Sequence, residues 1–357
     1  MSYTLDIQEL ADTANQDNIN PKDAQKLLIA AIQLADENLD TLLGYELRLN
    51  LLNKQWGLAD KPYFVNAFSW MLNAYDENPK NYSVNTLLWR YKWVIGELFS
   101  NPDVPLAQIQ LVLEDYKRRA VEQGFNLRSY YTKQLHDALN QKDSAASRKY
   151  LDLVNALPTD GISDCRACEV DNEVSFLINE GDFKEAFSRA QPLLQKQYSC
   201  AHVPLITLCN LCYMAIKDHR IKEAADLFME AEQELLGKES DSTLITSMGM
   251  LIVYLFHTDK TTGWNYAERY LPWALECEAN KKFFFSMHLA EALKLEDQEN
   301  IVRLKLPDAH PLYKASDTYA VKDLYDFYYQ QAIDYAYRFD KRNGNSNFSI
   351  QAEDAKI

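Results

Sequence analysis

The sequence predicts an all-α protein, an α-α superhelix built as a solenoid of stacked helical hairpins. Two hairpins read in register at residues 170–195 and 204–236, with Ala186 aligned on Ala224. The apolar face of such a hairpin is buried only when neighbouring hairpins stack on it. Gly (10) and Pro (11) are scarce among the 357 residues, which favours nearly continuous helix with short connections.

Helix boundaries follow from capping and breaking residues. Pro21 suits the first turn of a helix, because its missing N–H has no helical partner there. Gly344 stands where a left-handed C-cap is required. Besides the two hairpins, the predicted helices cover residues 21–38, 39–54, 60–75, 84–100, 106–123, 126–139, 144–156, 242–257, 262–278, 281–295 and 322–343.

The chain is read as one continuous array with four segments, because no Pro-, Gly- or Ser-rich linker divides it. Residues 1–158 form an N-terminal array of helical hairpins, and residues 159–300 contain the clear repeats. Residues 301–344 comprise an irregular segment and an aromatic capping helix, whose rings are expected to pack rather than to stack on a ligand. The polar tail, residues 345–357, is expected to be disordered.

Charge and hydropathy bear on partners and location. The net charge of -15 disfavours nucleic acid and favours a basic protein or peptide as partner. Residues 1–10 carry Asp6 and Glu9 and no basic segment, so a signal peptide is not expected. No apolar run approaches the ~20 residues of a membrane span. We therefore expect a cytoplasmic protein, with no membrane partner and with cysteines that are thiols or metal ligands.

The two hairpins resemble the tetratricopeptide repeat. Phe183 and Ile221 occupy that repeat's large position in helix B, which places Ala186 and Ala224 at its small helix-crossing position. Three further stretches are similar to a group of bacterial tetratricopeptide-like proteins, namely residues 87–94 (LLWRYKWV), 164–169 (DCRACE) and 339–344 (FDKRNG). The resemblance implies a fold and a bacterial source, and it implies no activity.

In such repeats the first helices of successive hairpins line a binding groove. The groove candidates that the resemblance implies here are Asp171, Asn172, Ser175, Ile206, Cys209, Asn210 and Tyr213. No cation is among them, so a clamp for a C-terminal carboxylate is not expected at these two repeats.

Four residues form a candidate metal site. Cys165 and Cys168 begin one first helix, and Cys200 and His202 precede the next. Because the N-termini of stacked neighbouring helices lie close together, the two pairs are expected to converge, and three thiolates with one imidazole are an ordinary set of structural zinc ligands. Two alternatives stay open: inert thiols that fill a tight turn, and a redox pair. Cys209, Cys212 and Cys277 are interpreted as structural.

An enzymatic function is not expected, because the sequence contains no Gly-rich phosphate loop, no metalloprotease motif and no nucleophile elbow. The leading hypothesis is a non-enzymatic scaffold that binds a protein or peptide on an acidic solenoid surface. One alternative is an immunity-type neutraliser of a cationic toxin or effector, for which acidity would speed association. Another is a metal- or redox-responsive regulator that uses Cys165, Cys168, Cys200 and His202.

Overall fold

The computed structural model describes residues 3–59, 61–238 and 241–357. Within these residues, seventeen α-helices and a single two-stranded hairpin confirm the all-α prediction. The predicted helix start at residue 60 lies outside the described residues. None of the described helices combines the length and the apolar character that crossing a membrane requires.

The helices follow one another with short connections. The first eight are α1 (Tyr3–Ala14), α2 (Pro21–Glu37), α3 (Thr41–Gln55), α4 (Phe64–Glu77), α5 (Val84–Ser100), α6 (Leu106–Glu122), α7 (Arg128–Asn140) and α8 (Ser144–Asn155). The others are α9 (Arg166–Asn179), α10 (Phe183–Leu194), α11 (Leu205–Lys217), α12 (Ile221–Leu235), α13 (Ile245–Thr258), α14 (Lys260–Glu276), α15 (Ala279–Leu293), α16 (Val321–Asn343) and α17 (Asn347–Ala352). Strands β1 (Ile301–Arg303) and β2 (Thr318–Ala320) pair antiparallel, with Val302 opposite Tyr319.

Helices α7 to α14 form four stacked helical hairpins. The first helices of the hairpins, α7, α9, α11 and α13, contact one another in sequence and continue onto α15, while α8, α10, α12 and α14 each pack on their own partner. The inner helices are covered on two sides, so α13 is buried around most of its circumference. Ala186 and Ala224 are fully buried, as expected for the small positions at which the two helices of a hairpin cross.

Four hairpin turns share one backbone geometry that extends the repeat beyond the two hairpins found in the sequence. Each has one residue with positive φ, namely Leu39, Lys142, Gly181 or His219. The next residue donates its N–H to a carbonyl five residues back, at 2.8–3.0 Å, which ends the first helix. In three of the four turns that next residue is an Asp whose side chain caps the following helix.

The hydrophobic core falls into two large clusters, one spanning Ile7 to Ile162 and the other Ala167 to Ala355. Buried ion pairs connect helices near the boundary between these two clusters. Arg128 Nε donates to Glu169 Oε1 at 2.7 Å, with both side chains buried. The segment that carries the first two cysteines is therefore fixed by charge as well as by packing.

The last long helix also contacts the N-terminal half. Arg342 donates from Nη1 to the carbonyls of Phe99 at 2.9 Å and Asn101 at 3.0 Å, where α5 ends. A cation at this position satisfies carbonyls that have no partner within their own helix. Helix α16 therefore links the C-terminal hairpins to α5.

The C-terminal tail differs from the expectation of disorder, because residues 347–352 form α17. Phe348 is buried and stacks on Phe339 with ring centroids 4.6 Å apart. Asp340 accepts hydrogen bonds from the N–H groups of Phe348 and Ser349, both at 2.9 Å, and so caps the start of this helix. Helix α1 and the strands β1 and β2 are further elements that the sequence pattern did not indicate.

Candidate functional site

Three cysteines converge where the N-terminus of α9 meets the loop between α10 and α11. Cys165 is the N-cap residue of α9, Cys168 lies in its first turn, and Cys200 lies in the loop. Their sulfur atoms all lie within 4.8 Å of one another, and the Cys165 and Cys168 sulfurs are 3.5 Å apart. We call these three residues the thiol cluster. Their convergence is what stacking of successive helix N-termini predicts.

His202 has a different partner from the one expected. Its Nε2 atom lies 2.6 Å from Asp241 Oδ2, and the ring is outside the thiol cluster. Burial opposes ionisation of Asp241, but the hydrogen bonds from His202 and Thr243 lower its pKa to about 2. His202 therefore fastens the α10–α11 loop to the segment that precedes α13.

The six cysteines fall into two groups according to their exposure to solvent. Cys165 and Cys200 are exposed and Cys168 is half-buried, whereas Cys209, Cys212 and Cys277 are buried. Burial and the neighbouring Cys165 and Cys200 raise the pKa of Cys168 well above its ordinary value. Cys168 is therefore a protonated thiol unless a bound cation stabilises its ionised form.

A groove of about 570 Å³ runs along the inner helices α7, α9, α11, α13 and α15. Five of the seven groove candidates line it: Asn172, Ser175, Ile206, Asn210 and Tyr213. The other two do not. Asp171 hydrogen-bonds the hydroxyl of Thr207, and Cys209 is completely buried. Both lie on the side of the helix that packs on a neighbour.

The floor of the groove contains buried polar atoms that lack partners. Within the described residues, neither ring nitrogen of His288 has a hydrogen-bond partner, and neither does Oε1 of Gln351. His288 Nδ1 lies 3.7 Å from Glu291, too far for a hydrogen bond. Glu291 is instead held by Tyr213 at 2.6 Å and Lys217 at 2.7 Å. Burial lowers the pKa of His288, because the charged ring would lose its hydration there.

The sequence pattern did not indicate that α7 and the turn after it line one side of the groove. His136 and Lys142 line the groove beside Asn172. The sequence does contain a pattern that could have indicated His136. When the turn at Lys142 is aligned with the turn at Gly181, His136 aligns with the groove candidate Ser175. The contribution of His288 and Gln351 has no comparable signal, since it depends on how α15 and α17 pack against the hairpins.

Comparisons with known proteins give no relative for this chain. No protein-family model matches it, no curated protein matches its sequence, and no solved structure matches its fold. The resemblance to tetratricopeptide proteins therefore stays a prediction that rests on the residues themselves.

Proposed function

We propose that the protein is a non-enzymatic scaffold that binds a segment of another protein in the groove. The observation that carries this proposal is the pair of unpartnered polar groups in the groove floor, His288 and Gln351. A buried polar group without a partner costs about 1–3 kcal/mol. A ligand that moves the groove floor enough to supply a donor and an acceptor to these buried atoms would recover that cost on binding.

The rest of the lining suits a peptide. Met250, Met287 and Phe284 offer apolar surface, while Asn172 and Asn210 offer side-chain amides on adjacent helices. Amides at one level of successive helices can hydrogen-bond both the N–H and the C=O groups of a bound backbone. This combination of apolar surface with a few polar anchors is typical of ligand-binding clefts.

The net negative charge of the chain supports a basic partner protein, although the groove itself is lined by both positively and negatively charged side chains. Lys142 and Lys217 line it together with Asp218 and Asp354. The net charge of -15 acts over the whole surface and attracts a cationic partner during encounter. We therefore expect charge to govern the association rate, and the groove contacts to govern the lifetime of the complex.

The surroundings of His288 support binding rather than catalysis. A histidine that acts as a general base is oriented by a hydrogen bond to a second group. His288 has no such bond among the described residues. Within the part of the chain that the structure describes, it therefore lacks the orienting partner of a general base.

The test is affinity purification from the native cell, followed by calorimetry with the purified partner. His288→Leu should weaken binding about tenfold, which corresponds to the loss of ~1.4 kcal/mol, while leaving the free energy of unfolding unchanged or higher. A matched control is Met229→Ala on the exposed face of α12. Equal binding by both variants would contradict the groove as the binding site.

One alternative uses the same groove and surface. In the neutraliser hypothesis the partner is a cationic toxin or effector, and complex formation abolishes its activity. Measuring the activity of the captured partner with and without the protein distinguishes neutralisation from passive scaffolding. A steep fall of the association rate with salt is expected in either case.

A further inference from the structure

We infer that the thiol cluster is a zinc site in which Cys165, Cys168 and Cys200 supply three ligands and the fourth position is open to solvent. This site is separate from the groove, and the inference does not depend on the proposed function.

The sulfur positions fit one zinc ion. A Zn–S bond is about 2.3 Å, so two sulfurs in a tetrahedral site lie about 3.8 Å apart. The Cys165 and Cys168 sulfurs are 3.5 Å apart, and all three lie within 4.8 Å of one another. A metal can therefore be accommodated with small side-chain rotations and no change of backbone.

The exposure of two of these thiols argues against simple packing. Cysteines that fill space in a protein interior are buried, as Cys209, Cys212 and Cys277 are here. Cys165 and Cys200 are exposed and contribute little to the core. Three sulfurs at a solvent-facing junction of two segments gain more from a shared ion than from apolar contacts.

The local backbone also suits thiolate ligands. Cys165 and Cys168 stand at the N-terminus of α9, where the free N–H groups and the helix dipole would help to stabilise thiolates once a metal has displaced their protons. The loop that carries Cys200 is held by a hydrogen bond from its N–H to the carbonyl of Val203 at 2.9 Å. Two independently fixed segments would thus be joined by the ion.

The fourth position is open because, within the described residues, no histidine nitrogen or carboxylate oxygen lies within 4.8 Å of all three sulfurs. His202 is engaged by Asp241 at 2.6 Å, and Asp164 is engaged by Lys92 at 2.6 Å. Structural zinc sites have four protein ligands, whereas a site with three keeps an exchangeable water. This site would therefore accept an added small ligand at the metal.

The experiment uses the full chain, purified under reducing conditions and analysed for metal after addition of zinc and gel filtration. We expect one zinc per chain, with loss of binding in Cys168→Ser and Cys200→Ser. Cys277→Ser is the matched control and should keep the metal. Circular dichroism checks that each variant folds. No bound zinc in the wild type, or a disulfide found by mass spectrometry under these conditions, would overturn the inference.

Two further measurements test the ligand count. His202→Ala should bind zinc as the wild type does, and loss of zinc in this variant would contradict a three-thiol site. Cobalt substituted for zinc should give the visible bands of a tetrahedral thiolate complex, and added imidazole should shift them by entering the fourth position. Bands that do not respond to imidazole would mean that the protein supplies a fourth ligand.

Discussion

The Nζ atom of Lys92, in the middle of α5, lies 2.6 Å from Oδ1 of Asp164, in the segment that leads into α9. Lys92 also donates to the carbonyl of Ile162 at 2.7 Å, and its side chain is only 3% exposed. The contact joins the N-terminal half to the residue immediately before Cys165. The position of the thiol cluster is thus set partly by a residue on α5.

Removing this lysine should destabilise the protein. Lys92→Met leaves the carboxylate of Asp164 buried without its main partner, and such a loss costs about 3–5 kcal/mol. Urea unfolding followed by circular dichroism measures the difference. The double variant Lys92→Met/Asp164→Asn is the control, because it removes the buried charge as well and should recover part of the loss. A single variant as stable as the double one would contradict this account.

The ordered tail predicts a sharp contrast between two neighbouring residues. Phe348 is buried against Phe339 and Phe283, whereas Ile350 is 64% exposed. Phe348→Ala should lower the free energy of unfolding by about 3–5 kcal/mol, because a large cavity is left. Ile350→Ala in the same helix should change it by less than about 0.5 kcal/mol. Similar values for the two variants would show that the tail does not pack as described.

Parts of this molecule with a local signature could be predicted from the sequence. The hairpins at 170–195 and 204–236 have breakers and small crossing residues at fixed spacing, and their alignment also predicted that the cysteines meet. The order of the tail could not be predicted in this way, because it comes from Asp340 and Phe339 on another helix. The partner of His202 was missed because Asp241 lies 39 residues away in the sequence and belongs to no recognisable motif.

The shared turn geometry predicts opposite effects at two aligned positions. His219 has φ of 58° and Gly181 has φ of 78°, a region that favours glycine. His219→Gly should therefore raise the free energy of unfolding by about 0.5–1 kcal/mol, whereas Gly181→Ala should lower it by about 1 kcal/mol. Nothing lies within 4 Å of a Cβ built at Gly181, so backbone conformation alone would cause that loss. Thermal unfolding of both variants checks the pair.

The helix crossing in the second hairpin predicts an effect of added volume. Ala224 is fully buried, and its carbonyl lies 3.4 Å from the sulfur of Cys212 on the facing helix. Ala224→Leu should overpack this crossing and cost about 1–3 kcal/mol. Lys222→Leu, at an exposed position of the same helix, is the control. An unchanged melting temperature in Ala224→Leu would mean that the crossing is assigned to the wrong residue.

The contact between His202 and Asp241 predicts how stability depends on pH. The pKa of Asp241 is about 2 in the folded chain, below its ordinary value of 3.8. A lowered pKa means that the folded state favours the ionised carboxylate. The resulting stabilisation of about 2 kcal/mol is therefore present above about pH 4 and is lost as the pH falls towards 2.

Asp241→Asn removes this titration and provides the comparison. Between pH 5 and 2, the wild type should lose about 2 kcal/mol more of its free energy of unfolding than the variant does. The measurement is urea unfolding at each pH with a metal chelator present, so that ion release from the thiol cluster does not contribute. Parallel pH profiles for the two proteins would show that the hydrogen bonds from His202 and Thr243 do not stabilise the ionised form of Asp241.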